Sequence, residues 1–263
     1  MNQRIAIVSD LDGCLLNKED YSFAPAVPLL QAIRDLNLPV ILASSKTVSE
    51  MRLLAEEMEL ADAPIICENG GAVYWSREDS TPGQILGASR KQILENLQKL
   101  KGEFHFESFE DLGLSGVIAS TDLPEGRARL AMRRASTEPL LWRDSDVKLD
   151  FFARQLADEG LTFTRGGRFW HVAGQTSKGN AMQYVMSYLQ TKNPGNWTSI
   201  AIGDSPIDQS MLDIADYPIG IPSPNGVVHV EVKAHNGLVA DSAGAQGWAD
   251  SVTAVLQKLG ANL

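Results

Sequence analysis

Short unbroken apolar runs recur early in the chain and once more near residue 200: Ile5-Val8, Pro39-Ala43, Pro64-Cys67 and Ser199-Ile202. Runs of this length bounded by polar residues are the pattern of strands buried on both faces of a parallel sheet. Between the first three, apolar positions recur at helical spacing. Leu29, Leu30, Ile33 and Leu36 share one face, and Met51, Leu54, Ala55 and Met58 share another. Thr47 followed by Glu50 is a capping box for the second helix. Strands alternating with helices imply right-handed crossovers and a doubly wound, Rossmann-like α/β core.

The pattern changes from about Thr81. A helical stretch (Ile93, Leu94, Leu97, Leu100) leads to strand-like FHF and GVIAS segments, a helix near Arg127-Ala135, a strand near Leu140-Trp142 and a helix over Val147-Ala157. LTFTR and RFWHV alternate on either side of Gly166-Gly167, the signature of a two-residue hairpin. The core pattern then resumes. Met182, Val185, Met186 and Leu189 lie on one helix, another starts at Ser205-Pro206, and the last carries Trp248, Val252, Val255 and Leu259. These changes predict an α+β insert over residues 83–173 in a core built from 1–82 and 174–263.

Polar residues gather where the strands end. The first run delivers Asp10 and Asp12, with Gly13 permitting a sharp turn. In open α/β sheets ligands bind at that edge. Two carboxylates about 4 Å apart repel by roughly 4 kcal/mol at an effective dielectric of 20, so a cation, a shared proton or both must offset them. The second run ends in Ser44, Ser45 and Lys46, a potential anion site at a helix start. Lys178 opens a helix, against the dipole, and GDSPID carries Asp204 and Asp208. Converged on one rim, Asp10, Asp12, Ser44, Lys178, Asp204 and Asp208 make an oxygen-rich site for Mg²⁺ and a phosphoryl group.

Composition narrows the setting. A chain of 263 residues with 44% hydrophobic content can bury one large core or two modest ones. A formal net charge of -10 argues against nucleic acid as partner, while a small anionic substrate needs only local cations. Cys14 and Cys67 show neither metal-ligand spacing nor a disulfide framework, which suits a reducing compartment. The first apolar run is too short for a signal peptide or a membrane span. A cytoplasmic protein without membrane contact is the expectation.

The four strand-end segments resemble the four motifs of the haloacid dehalogenase-like phosphohydrolases, and the position of the insert resembles their C2-type cap. SDLDGCLLN, YSFAPAVPLLQAI, PVILASSKT, ICENGGAVY, RRASTEPLLW, TRGGRFWHV and GDSPIDQSML further resemble the mannosyl-3-phosphoglycerate phosphatase family. Cys14 stands where that family usually has Thr, Ser44 where Thr is frequent, and Ile207 where Asn is usual.

The resemblance implies Asp10 as nucleophile, Asp12 as general acid and then base, and Ser44 and Lys178 as phosphoryl ligands. It implies Mg²⁺ held by Asp10, Asp12 (through its backbone carbonyl) and Asp204, with Asp208 behind them. For the substrate, a phosphorylated sugar acid, it implies Lys46, the Glu68-Asn69 loop and the Arg165-Gly166-Gly167-Arg168 turn. His171, Trp142 and Trp170 read as packing residues, and Arg133 and Arg134 as a solvated helix face. A different small-molecule phosphatase, a phosphomutase and a non-catalytic phospho-acceptor are the competing readings.

Overall fold

The computed structural model describes residues 4–75, 83–166, 168–233, 235–261 and 263. Twelve strands run in chain order: β1 (Arg4–Ser9), β2 (Val40–Ala43), β3 (Ile65–Cys67), β4 (Ala72–Tyr74), β5 (Gln84–Ile85), β6 (Phe106–Ser108), β7 (Thr137–Trp142), β8 (Leu161–Arg165), β9 (Trp170–Gly174), β10 (Trp197–Gly203), β11 (Tyr217–Gly220) and β12 (Leu238–Val239). Eight of them form one sheet in the order β12-β11-β10-β1-β2-β3-β4-β5, parallel from β12 through β3. The remaining four make an antiparallel sheet, β6-β7-β9-β8.

The large sheet is apolar on both faces because successive side chains point opposite ways. Ile5, Ile7, Val40, Leu42, Ile200 and Ile202 meet the helices Val27–Asp35, Val48–Glu57 and Gly244–Lys258. Ala6, Val8, Ile41, Ala43 and Ala201 meet Lys178–Lys192 and Gln209–Leu212. The Thr47 capping box is present, with the Glu50 N–H donating to Thr47 Oγ1 and the Glu50 carboxylate accepting from the Thr47 N–H.

The small sheet has its own core, in which Phe106, Leu140, Leu161 and Val172 pack on the helices Arg90–Leu100 and Leu149–Asp158. Trp142 and Trp170 belong to this packing, Trp142 against Phe152 and Trp170 stacked on Phe163 at 4.4 Å.

Three expectations need correction. GVIAS is not a strand but the end of a helix, Phe109–Thr121, capped by Ser108 with Asp111 and bent at Gly113. Its β-branched residues suggest a strand, yet Val117 packs with Phe109, Ala128 and Phe169 as a helical face; packing overrides that local preference. Second, Gln84–Ile85 pairs with β4 in the large sheet, although the sequence assigns residues from 83 onward to the insert. Residue 82 itself lies outside the described residues.

Third, the hairpin turns one residue later than Gly166-Gly167. Arg165 pairs with Trp170, and the Gly166 N–H donates to the Phe169 carbonyl at 2.9 Å. Gly167 lies outside the described residues. Moving the turn by one residue moves each cross-strand partner by two, which keeps the faces but sets Trp170, not Arg168, opposite Arg165.

Candidate active site

Asp10 follows β1, and its N–H donates to the Ile202 carbonyl at 2.9 Å, which carries the strand pairing past the end of β1. Ser9 Oγ accepts from the Trp248 indole and donates to the Asp10 carbonyl, so the strand end is anchored from the core side. Gly13 turns the chain back with φ of 91°. A Cβ there would stand 2.5 Å from Asp204 Oδ2, so only glycine lets the first and last acidic segments approach this closely.

Lys178 explains its position at a helix start. Its side chain is 3% exposed, and Nζ lies 2.5 Å from Asp10 Oδ1 and 2.6 Å from Asp208 Oδ1. With carboxylates on two sides, its ammonium is held charged above the usual lysine range despite burial. Asp10 is raised as well, to about 7, because burial and the Asp208 charge outweigh the pull of Lys178. Burial, with Asp208, also raises Asp204; its ion-pair partner is Lys18 at 3.5 Å.

Asp208 is fully buried and already occupied. Oδ1 meets Lys178, and Oδ2 accepts from the N–H groups of Asp204 and Ser205 and from Ser205 Oγ. Predicted among the metal residues, it sits behind them and orients Lys178 and the Asp204 turn. The group able to hold a cation is Asp10, Asp204 and Cys14, whose ligand atoms lie within 4.8 Å of one another. Oxygen donors dominate this set, which fits Mg²⁺.

Asp12 points elsewhere. Its Oδ2 pairs with Lys46 Nζ, and its buried Oδ1 has no hydrogen-bond partner. Ser44, fully buried, lies at the end of β2 with Oγ accepting from the Lys46 N–H. The structure thus brings together Asp10, Asp12, Ser44, Lys46, Lys178, Asp204 and Asp208 at one edge of the sheet, together with Cys14.

The predicted substrate residues divide. Lys46 and Arg168 line a cavity of about 650 Å³ between the two sheets, with Arg127, Arg134, Phe169 and His171. Asn69 and Arg165 line a second cleft of about 440 Å³ with Lys178 and Ile207. Arg165 ends β8 opposite Trp170 whereas Arg168 lies outside both strands, and the two arginines part. Arg165 lies over the Trp170 ring at 5.1 Å, whereas Arg168 pairs with Asp122 at 3.1 Å and donates to the Ser120 carbonyl. Gly166 packs on the His171 ring.

Glu68, expected as a substrate contact, borders that second cleft but has its carboxylate engaged by the protein. It is 1% exposed, and its carboxylate accepts from the N–H groups of Ala135 and Ser136 at 2.7 and 3.1 Å and from Thr137 Oγ1 at 2.6 Å. It clamps the segment before β7 to the loop after β3. Glu68→Gln, which turns an amide donor toward these donors, is expected to cost about 1–3 kcal/mol, read as a lower urea midpoint. An unchanged midpoint would remove the clamp's role in stability.

Arg134 is likewise not on a solvated face. Its side chain is 6% exposed and donates to Thr137 Oγ1 at 2.7 Å and the Ser45 carbonyl at 2.8 Å. No local pattern in RRAST marks it, since its partners come from β7 and from the end of β2. His171 lines both cavities. Burial, helped by the Arg134 charge, lowers it to about 4, so it is a neutral imidazole at pH 7.

Comparisons with known proteins bear on the fold and the family. Residues 7–122 match the family model described as haloacid dehalogenase-like hydrolase. That match spans 116 of the 263 residues and supports a haloacid dehalogenase-like hydrolase. Similar solved structures include a Thermoplasma acidophilum protein, 15% identical with a TM-score of 0.67, covering 98% of each chain. A haloacid dehalogenase-like hydrolase from Bacteroides thetaiotaomicron is 17% identical with a TM-score of 0.67, over 97% of this chain and 99% of that one. A second protein from that organism, described among phosphatases of the haloalkanoate superfamily, is 15% identical with a TM-score of 0.66, over 98% and 96% of the chains. At these identities the likeness establishes the fold. No helix among the described residues is long and apolar enough to cross a membrane.

Proposed function

We propose that the chain is a phosphomonoester hydrolase working through an aspartyl-phosphate on Asp10, with mannosyl-3-phosphoglycerate as substrate and mannosylglycerate and phosphate as products. The observation that carries the chemistry is the meeting of Asp10, Lys178 and Asp204 at the carboxyl edge of the parallel sheet. The similar Bacteroides thetaiotaomicron phosphatase supports the reaction class.

Asp10 attacks phosphorus, forming the carboxyl–phosphorus bond as the bond to the glycerate oxygen breaks. Lys178 and Ser44 hold the phosphoryl oxygens, over which the transition state spreads its charge. Asp12 protonates the leaving oxygen, then takes a proton from the water that hydrolyses the acyl phosphate. Lys46 positions the Asp12 side chain. Mg²⁺, held by Asp10, Asp204 and the Asp12 carbonyl, would supply charge neutralisation at the phosphoryl group.

The cavity lined by Lys46, Arg127, Arg134 and Arg168 suits an anionic leaving group, and its volume suits a sugar acid. The test is phosphate release from mannosyl- and glucosyl-3-phosphoglycerate, sugar phosphates and p-nitrophenyl phosphate, with Mg²⁺ and with excess chelator. Mannosyl-3-phosphoglycerate is expected to give the highest kcat/KM, and chelation to silence release. Arg168→Ala should lower that kcat/KM about ten- to a hundredfold while sparing p-nitrophenyl phosphate. Mg²⁺-dependent release from no ester would overturn the phosphatase reading. Preference for another ester would overturn only the substrate.

A further inference from the structure

The Cys14 thiol is out of place in a site for a hard cation. The residue is fully buried, directly after the Gly13 turn, and its sulfur lies within 4.8 Å of carboxylate oxygens from both Asp10 and Asp204. These two acids come from opposite ends of the sequence, on adjacent strands β1 and β10. Cys67, the other thiol, is also buried and free, but it ends β3 and belongs to no such group among the described residues.

Mg²⁺ takes oxygen ligands and ignores a thiol, whereas thiolate with carboxylate is a donor set for Zn²⁺ and for softer ions such as Cd²⁺. A tetrahedral zinc site with Zn–S of about 2.3 Å and Zn–O of about 2.0 Å sets sulfur and oxygen roughly 3.5 Å apart.

We propose that this site also takes a thiophilic divalent cation, Zn²⁺ or Cd²⁺, bound by the thiolate of Cys14 and the carboxylates of Asp10 and Asp204. On binding, the S–H bond breaks, the proton passes to solvent and a metal–sulfur bond forms, with no change of oxidation state. An ion held this way occupies the Asp10 and Asp204 carboxylates that would hold Mg²⁺, so it competes with Mg²⁺ and inhibits. Only this inhibitory consequence rests on the proposed function.

The experiment is titration of the metal-free protein with CdCl₂, followed by the ultraviolet charge-transfer band of a cadmium–thiolate bond and by proton release in weak buffer. The band is expected to saturate at one equivalent, with about one proton released at pH 8, above the range in which Asp10 titrates. It should survive Cys67→Ser and vanish in both Cys14→Ser and Cys14→Thr, with the folded state of each checked by circular dichroism. Asp204→Asn should keep the band but weaken Cd²⁺ binding at least about tenfold. No band in the natural protein, or a band that persists without Cys14, overturns the proposal. In the activity arm, Zn²⁺ should inhibit Mg²⁺-supported phosphate release, and Cys14→Ser should need at least about tenfold more Zn²⁺ for the same inhibition. A Cys14-dependent band in a protein that releases phosphate from no ester would leave this site standing and remove the phosphatase reading.

Discussion

Asp10→Asn is expected to lower phosphate release by about 10⁴- to 10⁶-fold, the range seen when a covalent catalyst loses a member of its machinery. The substitution conserves volume and leaves the strand end intact, since the backbone of Asp10 is held by Ile202 and Ser9. Near-normal turnover in a folded Asp10→Asn protein would exclude Asp10 as nucleophile.

The same variant carries a pH signature. Asp10 titrates at about 7 in the fold against 3.8 for an unburied aspartate. The folded state therefore binds this proton more tightly than the unfolded chain. The resulting stability is fully present below about pH 4 and is lost as pH rises through about 7. Metal-free protein should melt at a lower temperature at pH 8 than at pH 5, and Asp10→Asn should flatten most of that slope. Asp204, raised in the same direction, leaves a smaller slope of the same sign. A slope unchanged in Asp10→Asn would place the titration elsewhere.

Lys178→Met should be the most damaging single change to the fold of the site. It leaves the buried carboxylates of Asp10 and Asp208 facing one another without their shared cation. Removing one partner of a buried ion pair typically costs about 3–5 kcal/mol. Unfolding by urea reads that loss, and the loss should be greater at pH 8 than at pH 5. Adding Asp208→Asn to Lys178→Met should restore part of it, because one uncompensated charge is then gone. An additive double variant would mean that the two residues do not share this interaction. Phosphate release in Lys178→Met should fall at least about 10²-fold, since a preorganised charge at the phosphoryl group is lost.

Much of the architecture was legible in the sequence, and the reason is local. The runs Ile5-Val8, Pro39-Ala43, Pro64-Cys67 and Ser199-Ile202 lie within or overlap β1, β2, β3 and β10 because a strand buried on both faces must be continuously apolar. A residue that follows such a strand in a parallel sheet lands at its carboxyl edge, so Asp10, Asp12, Ser44 and Asp204 could be placed on one rim from spacing alone. Lys178 was marked by its electrostatically unfavourable helix position.

What needed the tertiary structure depends on contacts between segments distant in sequence. Glu68 as a clamp is visible only when the 134–137 segment is set beside it, and Arg134 is buried only because the end of β2 and the start of β7 supply its acceptors. The hairpin register separating Arg165 from Arg168 is set by pairing along β8 and β9, which a Gly-Gly pair does not specify. Cys14 is one more apolar residue in the sequence, and it becomes a metal-ligand candidate only because β1 and β10 lie side by side. Hydrophobic periodicity thus determined the elements and the rim on which chemistry collects. Long-range packing decided which polar side chains are occupied in holding the fold and which remain open to a ligand.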